Sequence, residues 1–179
     1  MPQSNPNAVF RSFSWNCRGI GQPSTVSLLK TFSIIHKPDF IFLSETLTSF
    51  SNCNSTLTSL NYPNCFGVDS IGKSGGLWIG FASNVIVEPI SLSTNFMLFK
   101  ISLVATSPWF LGCIYGNPHL SKRADTWAQI TNSLNPFCNK SIFITGDFDQ
   151  VLLSSEKSPL PNPISKVPRN FSLSLTILI

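Results

Sequence analysis

Two aspartates, Asp147 and Asp149, flank Phe148 at the end of the apolar run Ile142-Phe143-Ile144-Thr145. The chain of 179 residues holds only 8 acidic side chains, so this placement asks for a reason. A carboxylate beside a core is costly unless a partner or a metal ion compensates it. Three other apolar runs also end on a polar side chain: Phe13-Ser14-Trp15 reaches Asn16, Phe40-Ile41-Phe42-Leu43-Ser44 reaches Glu45, and Ile114 reaches Tyr115 before the turn Gly116-Asn117-Pro118. Each is ordinary alone, since an asparagine suits a turn, a glutamate a loop and a tyrosine a core. Together they put Asn, Glu, Tyr and Asp where strands exit a layered sheet, the edge at which ligands are usually bound. A hard divalent cation such as Mg²⁺ takes oxygen ligands from one or two carboxylates and keeps waters and substrate phosphate oxygens. Such an ion would account for the paired aspartates.

The elements that must position these residues follow from periodicity. Runs rich in Phe, Ile, Val and Trp at 9–17, 40–43, 76–82, 85–87, 96–105, 109–115 and 141–148 read as strands. Residues 23–35 read as a helix with Leu28, Leu29, Phe32 and Ile35 on one face, stopped by Pro38. Residues 121–134 read as a second, capped by Ser121, with Ala124, Trp127, Ile130 and Leu134 inward. The order β-α-β, a strand meander, then α-β predicts a layered mixed α/β domain. After Ser154 the prolines 159, 161, 163 and 168 give an irregular surface segment. The final Phe171-Ser172-Leu173-Ser174-Leu175-Thr176-Ile177-Leu178-Ile179 offers one strand or helical turn.

Gly67-Val68-Asp69-Ser70-Ile71-Gly72-Lys73-Ser74 satisfies the pattern of a phosphate-binding P-loop. That motif needs a helix to leave it, so that amide N–H groups face the phosphates. Here Gly75-Gly76 and a strand leave it, and a P-loop is not expected. The net charge of +4 comes from few acids rather than many bases, and no polybasic block is present. The five cysteines, at 17, 53, 65, 113 and 138, show neither C-x-x-C nor a zinc spacing and read as reduced, mostly buried thiols. No basic and apolar leader opens the chain and no run is long enough for a membrane span. A nuclear or cytoplasmic protein, not secreted and not in the membrane, is the expectation.

The stretches SWNCRGIGQPSTVSLLK, HKPDFIFLSET, GKSGGLWIGF, IYGNPHLSKRADTW and FITGDFDQVL followed by Glu156-Lys157 occur in one order. This series resembles the endonuclease/exonuclease/phosphatase superfamily, and within it the apurinic-type endonuclease domain of plant LINE-like (non-LTR) retrotransposons. The resemblance runs from about Ser12 to Lys157. It implies a four-layer α/β sandwich over 9–157, with 158–179 an irregular or divergent tail, and metal-assisted hydrolysis of a phosphodiester in DNA with Mg²⁺ or Mn²⁺. Carried over, Glu45 is the chief metal ligand, Asn16 orients the metal site and the phosphate, Tyr115 contacts the scissile phosphate, and Asp147 positions or deprotonates the attacking water.

Two departures bear on activity. Asp149 stands where the family has Asn, replacing a donor near the phosphate by an anion. The family's later strands, with the Ser/Asp-His pair that activates the nucleophile, have no counterpart before Ile179, and His36 and His119 do not match that position. The expectation is a truncated, weakly active or inactive remnant of a retrotransposon endonuclease, monomeric, with an open sheet edge. The alternatives are a non-catalytic nucleic-acid-binding or vestigial domain and a phosphatase of the same superfamily.

Overall fold

The structure, a computed structural model, describes residues 10–72, 74–103 and 106–148, together with the backbone of 173–174 and 177–178. Chain order is β1 (Phe10–Asn16), α1 (Pro23–His36), β2 (Phe40–Ser44), α2 (Phe50–Ser59), β3 (Asn64–Ile71), β4 (Ser74–Phe81), β5 (Ile86–Leu92), β6 (Phe96–Ser102), β7 (Trp109–Tyr115), α3 (Leu120–Leu134), a 3₁₀ turn (Asn135–Phe137), β8 (Ile142–Asp147), β9 (Leu173–Ser174) and β10 (Ile177–Leu178). The first sheet runs β10-β1-β2-β4-β3, with β9 also on β1, and the second runs β5-β6-β7-β8. β1 and β2 are parallel, as are β7 and β8, so each pair carries its chain ends to one side.

Side chains alternate across each strand with a period of two. Phe40, Phe42, Leu77, Ile79 and Phe81 of the first sheet meet Met97, Phe99, Ile101, Leu111 and Cys113 of the second in a shared core. The opposite face of the first sheet, with Phe13, Trp15, Ile41, Leu43 and Trp78, packs on Leu29 of α1 and on Cys53 and Leu57 of α2. Phe96, Leu98, Phe110 and Ile114 of the second sheet pack on Ile130 of α3. Helix, sheet, sheet and helix make the four-layer α/β sandwich.

Several elements depart from the sequence reading. α2 and β3 are additional, and the P-loop-like stretch is the hairpin from β3 into β4, with Lys73 outside the described residues. On α1 the buried residues are Leu29 and Ser33, whereas Ile35 is 66% exposed. Ser33 replaces it on the inner face because its hydroxyl is satisfied by the Leu29 carbonyl at 2.8 Å. α3 begins at Leu120 with His119 at its cap, so Ser121 lies inside the first turn. Thr126 is buried there while Ala124 is exposed, since the Thr126 hydroxyl bonds the Lys122 carbonyl at 3.0 Å and the Asn117 amide at 3.2 Å. The last residues, read as one strand or helical turn, contribute β9 and β10, which pair antiparallel with β1, Phe10 opposite Leu178 and Trp15 opposite Leu173.

Candidate active site

The strand ends bring the predicted polar residues together. Asn16 closes β1, Glu45 follows β2, and Tyr115 and Asp147 close β7 and β8, opposite one another in the parallel ladder. The Asn16 Nδ2 donates to Glu45 Oε1 at 2.9 Å and to Asp147 Oδ2 at 2.8 Å. The Tyr115 hydroxyl donates to the same Glu45 Oε1 at 3.1 Å. Asn16, Glu45 and Asp147 are half-buried and Tyr115 is buried. Residues as far apart as 16 and 147 thus share one hydrogen-bonded cluster. One amide held between two carboxylates offsets the repulsion that would push them apart.

The backbone around the cluster is specialised. Glu45 has φ 54°, a left-handed conformation that costs a non-glycine residue about 1–2 kcal/mol. It is held there from both sides: Gly19 N–H donates to the Glu45 carbonyl at 2.7 Å, while Thr46 N–H donates to the Gly76 carbonyl at 3.1 Å. Gly76 leaves room for the Thr46 hydroxyl, which a Cβ at that position would strike. Gly146 has φ 136°, and a Cβ there would collide with the Ile114 carbonyl, so the residue before Asp147 has to be glycine for β8 to lie this close to β7. Strain held by surrounding structure is a mark of functional positions.

Sequence reasoning missed Asn95, whose Nδ2 donates to the Tyr115 carbonyl at 2.8 Å and whose own carbonyl accepts the Tyr115 N–H at 2.9 Å. It lies between β5 and β6 in Ser93-Thr94-Asn95, with no signal separating it from ordinary turn chemistry. Asp149 lies outside the described residues. A cleft of about 220 Å³ opens beside Tyr115, lined among others by Asn95, Asn117, His119 and Lys122. A larger cavity of about 730 Å³, around Lys30, Asp39 and Tyr62, lies by the opposite end of β2 and includes none of the four.

Among the described residues no group of three His, Cys, Asp or Glu is gathered for a metal. The cluster instead combines two carboxylates with the Asn16 side-chain oxygen, a buried acceptor without a hydrogen-bond partner. Buried acceptors are seldom left unpaired. An oxygen-only set with so few protein ligands fits a hydrated hard cation such as Mg²⁺ and not a caged transition metal.

No family model matches the sequence, and no curated protein matches it. Solved structures do. D. rerio TDP2 complexed with single-strand DNA product has a TM-score of 0.58 at 14% identity over 81% of this chain and 62% of that one. A variant of the 3′ phosphatase NExo from Neisseria, bound to a product DNA hairpin, has a TM-score of 0.57 at 11% identity, covering 78% and 58%. An endonuclease/exonuclease/phosphatase family protein from Bacteroides thetaiotaomicron has a TM-score of 0.59 at 12% identity, covering 79% and 64%. The chain spans less than two thirds of the length of each of these three. Two sheets face to face with helices outside, and TM-scores of this size to such neighbours, give the chain the endonuclease/exonuclease/phosphatase fold.

Proposed function

We propose that the chain carries a metal-assisted phosphodiesterase site that acts on DNA, in the lineage of retrotransposon endonucleases. The observation that carries this reading is the single hydrogen-bonded cluster of Asn16, Glu45, Tyr115 and Asp147 on four strand ends. Phosphoryl transfer depends mainly on positioning and on stabilising charge, and this cluster offers both. Glu45, with Asp147 and the Asn16 oxygen, would hold a Mg²⁺ or Mn²⁺ ion, which when bound neutralises charge on the phosphate oxygens. Asp147 would align the attacking water and accept its proton. The Tyr115 hydroxyl would turn from Glu45 to a phosphate oxygen, and the Asn16 amide would fix the carboxylates and then the phosphate. The cleft beside Tyr115 would take the flanking nucleotide, with Lys122 contacting a phosphate. Two structural neighbours hold DNA products, which favours DNA over a small phosphoester.

Asp149, where the resemblance implies Asn, would oppose the phosphate charge and slow the reaction. The test is nicking of supercoiled plasmid with and without Mg²⁺ by the unmodified chain, Asp147→Ala and Asp149→Asn. The expected result is slow Mg²⁺-dependent nicking, lost in Asp147→Ala and raised about 10²-fold in Asp149→Asn. Plasmid binding with no cleavage by any of the three would establish the non-catalytic reading instead.

A further inference from the structure

Beneath α2 lies a pair of thiols that the phosphodiesterase reading leaves unused. Phe50, Cys53 and Leu57 are spaced three and four apart and so share one face of α2. That face sits very close to the first sheet. A Cβ at Gly67 of β3 would strike the Phe50 ring, and one at Gly80 of β4 would meet Leu57 and Tyr62. Cys65 pairs with Gly80 across the β3–β4 ladder and lies two residues before Gly67, hence on the same side of the sheet. With Phe50 over Gly67 and Leu57 beside Gly80, Cys53 comes down on Cys65. Both pack in the cluster between this sheet and its helices, Cys53 buried and Cys65 half-buried.

We propose that Cys53 and Cys65 are a peroxide-sensitive pair that closes an intramolecular disulfide and fastens α2 to β3. The two thiols differ in a way that suits sequential attack. The contact with Cys53, with a smaller contribution from the Thr58 hydroxyl, holds the Cys65 thiol below its ordinary value against the opposing effect of burial, and the Cys65 S–H donates to the Tyr62 carbonyl at 2.8 Å. Cys53 is pushed up by that same contact and by burial, and stays protonated. A half-buried thiol beside a buried one is the arrangement of an attacking and a resolving cysteine, the attacking Cys65 first giving up the proton that it donates to the Tyr62 carbonyl. In the first step the Cys65 thiolate attacks one peroxide oxygen: an S–O bond forms, the O–O bond breaks, and the departing hydroxide takes a proton and leaves as water. In the second, the Cys53 sulfur attacks the Cys65 sulfenic sulfur and gives up its proton, the S–O bond breaks, and a second water leaves. Two electrons pass from the thiols to the peroxide. Cys17, pushed up to about 12 chiefly by burial, and Cys113, raised by burial, stay reduced.

The test uses the full chain carrying Cys138→Ser, because Cys138 is exposed and would cross-link separate molecules. After hydrogen peroxide, denaturation and alkylation, mass spectrometry is expected to show the loss of two hydrogens and one peptide pair linking Cys53 to Cys65, reversed by a thiol reductant. With Cys53→Ala added, the link is absent and Cys65 gains oxygen. Cys65→Ala, at the half-buried position, is the second variant and gives neither product. Both thiols alkylating fully after peroxide, Cys65 oxygenated with Cys53 free in the parent, or a link through Cys17 or Cys113 would each overturn the proposal.

Discussion

On the proposed reading each polar residue of the candidate site would have a separable task, and the tasks predict different kinetic signatures. Lys122 lines the cleft beside Tyr115 without joining the hydrogen-bonded cluster, so it would bind a phosphate of the strand and take no part in bond breaking. Lys122→Ala should raise KM with little change in kcat and lower the salt slope of DNA binding by about one. Nicking rates over a range of DNA and salt concentrations check this, and a fall in kcat alone would move Lys122 into the chemistry. Tyr115→Phe removes one donor to Glu45 Oε1 and should act on kcat. A hydrogen bond to a charged group contributes about 1.5–3 kcal/mol, so the expected loss is about 10- to 10²-fold in single-turnover cleavage.

At the scale of elements, the site depends on how β8 meets β7. Asp147 lies opposite Tyr115 only because Gly146 lets the backbones approach. Gly146→Ala forces a Cβ into the Ile114 carbonyl at a left-handed φ and should destabilise the chain by at least about 3 kcal/mol. A urea midpoint unchanged by this substitution would contradict the packing described. Strands and helices with strong apolar periodicity were readable from sequence: 109–115 is β7, and 23–35 differs from α1 by one residue. α2 was not readable, because Phe50–Ser59 is mostly Ser, Thr and Asn, residues that compete with the helical backbone. Only Cys53 and Leu57 are buried on it, and tertiary packing sustains the helix. β3 carries Gly67 and Asp69, both uncommon in strands, and was hidden in the same way. The four site residues were legible as polar ends of apolar runs. Asn95 and the cleft depend on contacts between elements distant in sequence, which no local pattern encodes.

For the whole molecule, two sheets must stay face to face for strand ends from residues 16 to 147 to meet. The end of the sandwich away from the site is tied by Tyr62, whose buried hydroxyl donates to the Pro38 carbonyl at 3.0 Å. Burial pushes this phenol up to about 12. Its contribution to stability is fully present below the unfolded value of about 10 and is lost as pH rises toward the folded value. The unfolded chain gives up the proton first, so folding stability should fall between about pH 10 and 12. Cys17, raised to about 12 by burial, acts in the same sense from about pH 9. Urea titrations from pH 8 to 11.5 should show the decline, shallower above pH 10 in Tyr62→Phe, and stability that rises over this range would contradict it. The joint action of the two strand-end carboxylates is the point on which the functional reading rests. Single-turnover nicking by Glu45→Gln, Asp147→Asn and the double variant tests it most directly. If both serve one site, each single change should slow cleavage by about 10²- to 10⁴-fold, and the double variant should be little slower than the worse single. Losses that multiply, or nicking that survives either change, would show that Glu45 and Asp147 do not act together.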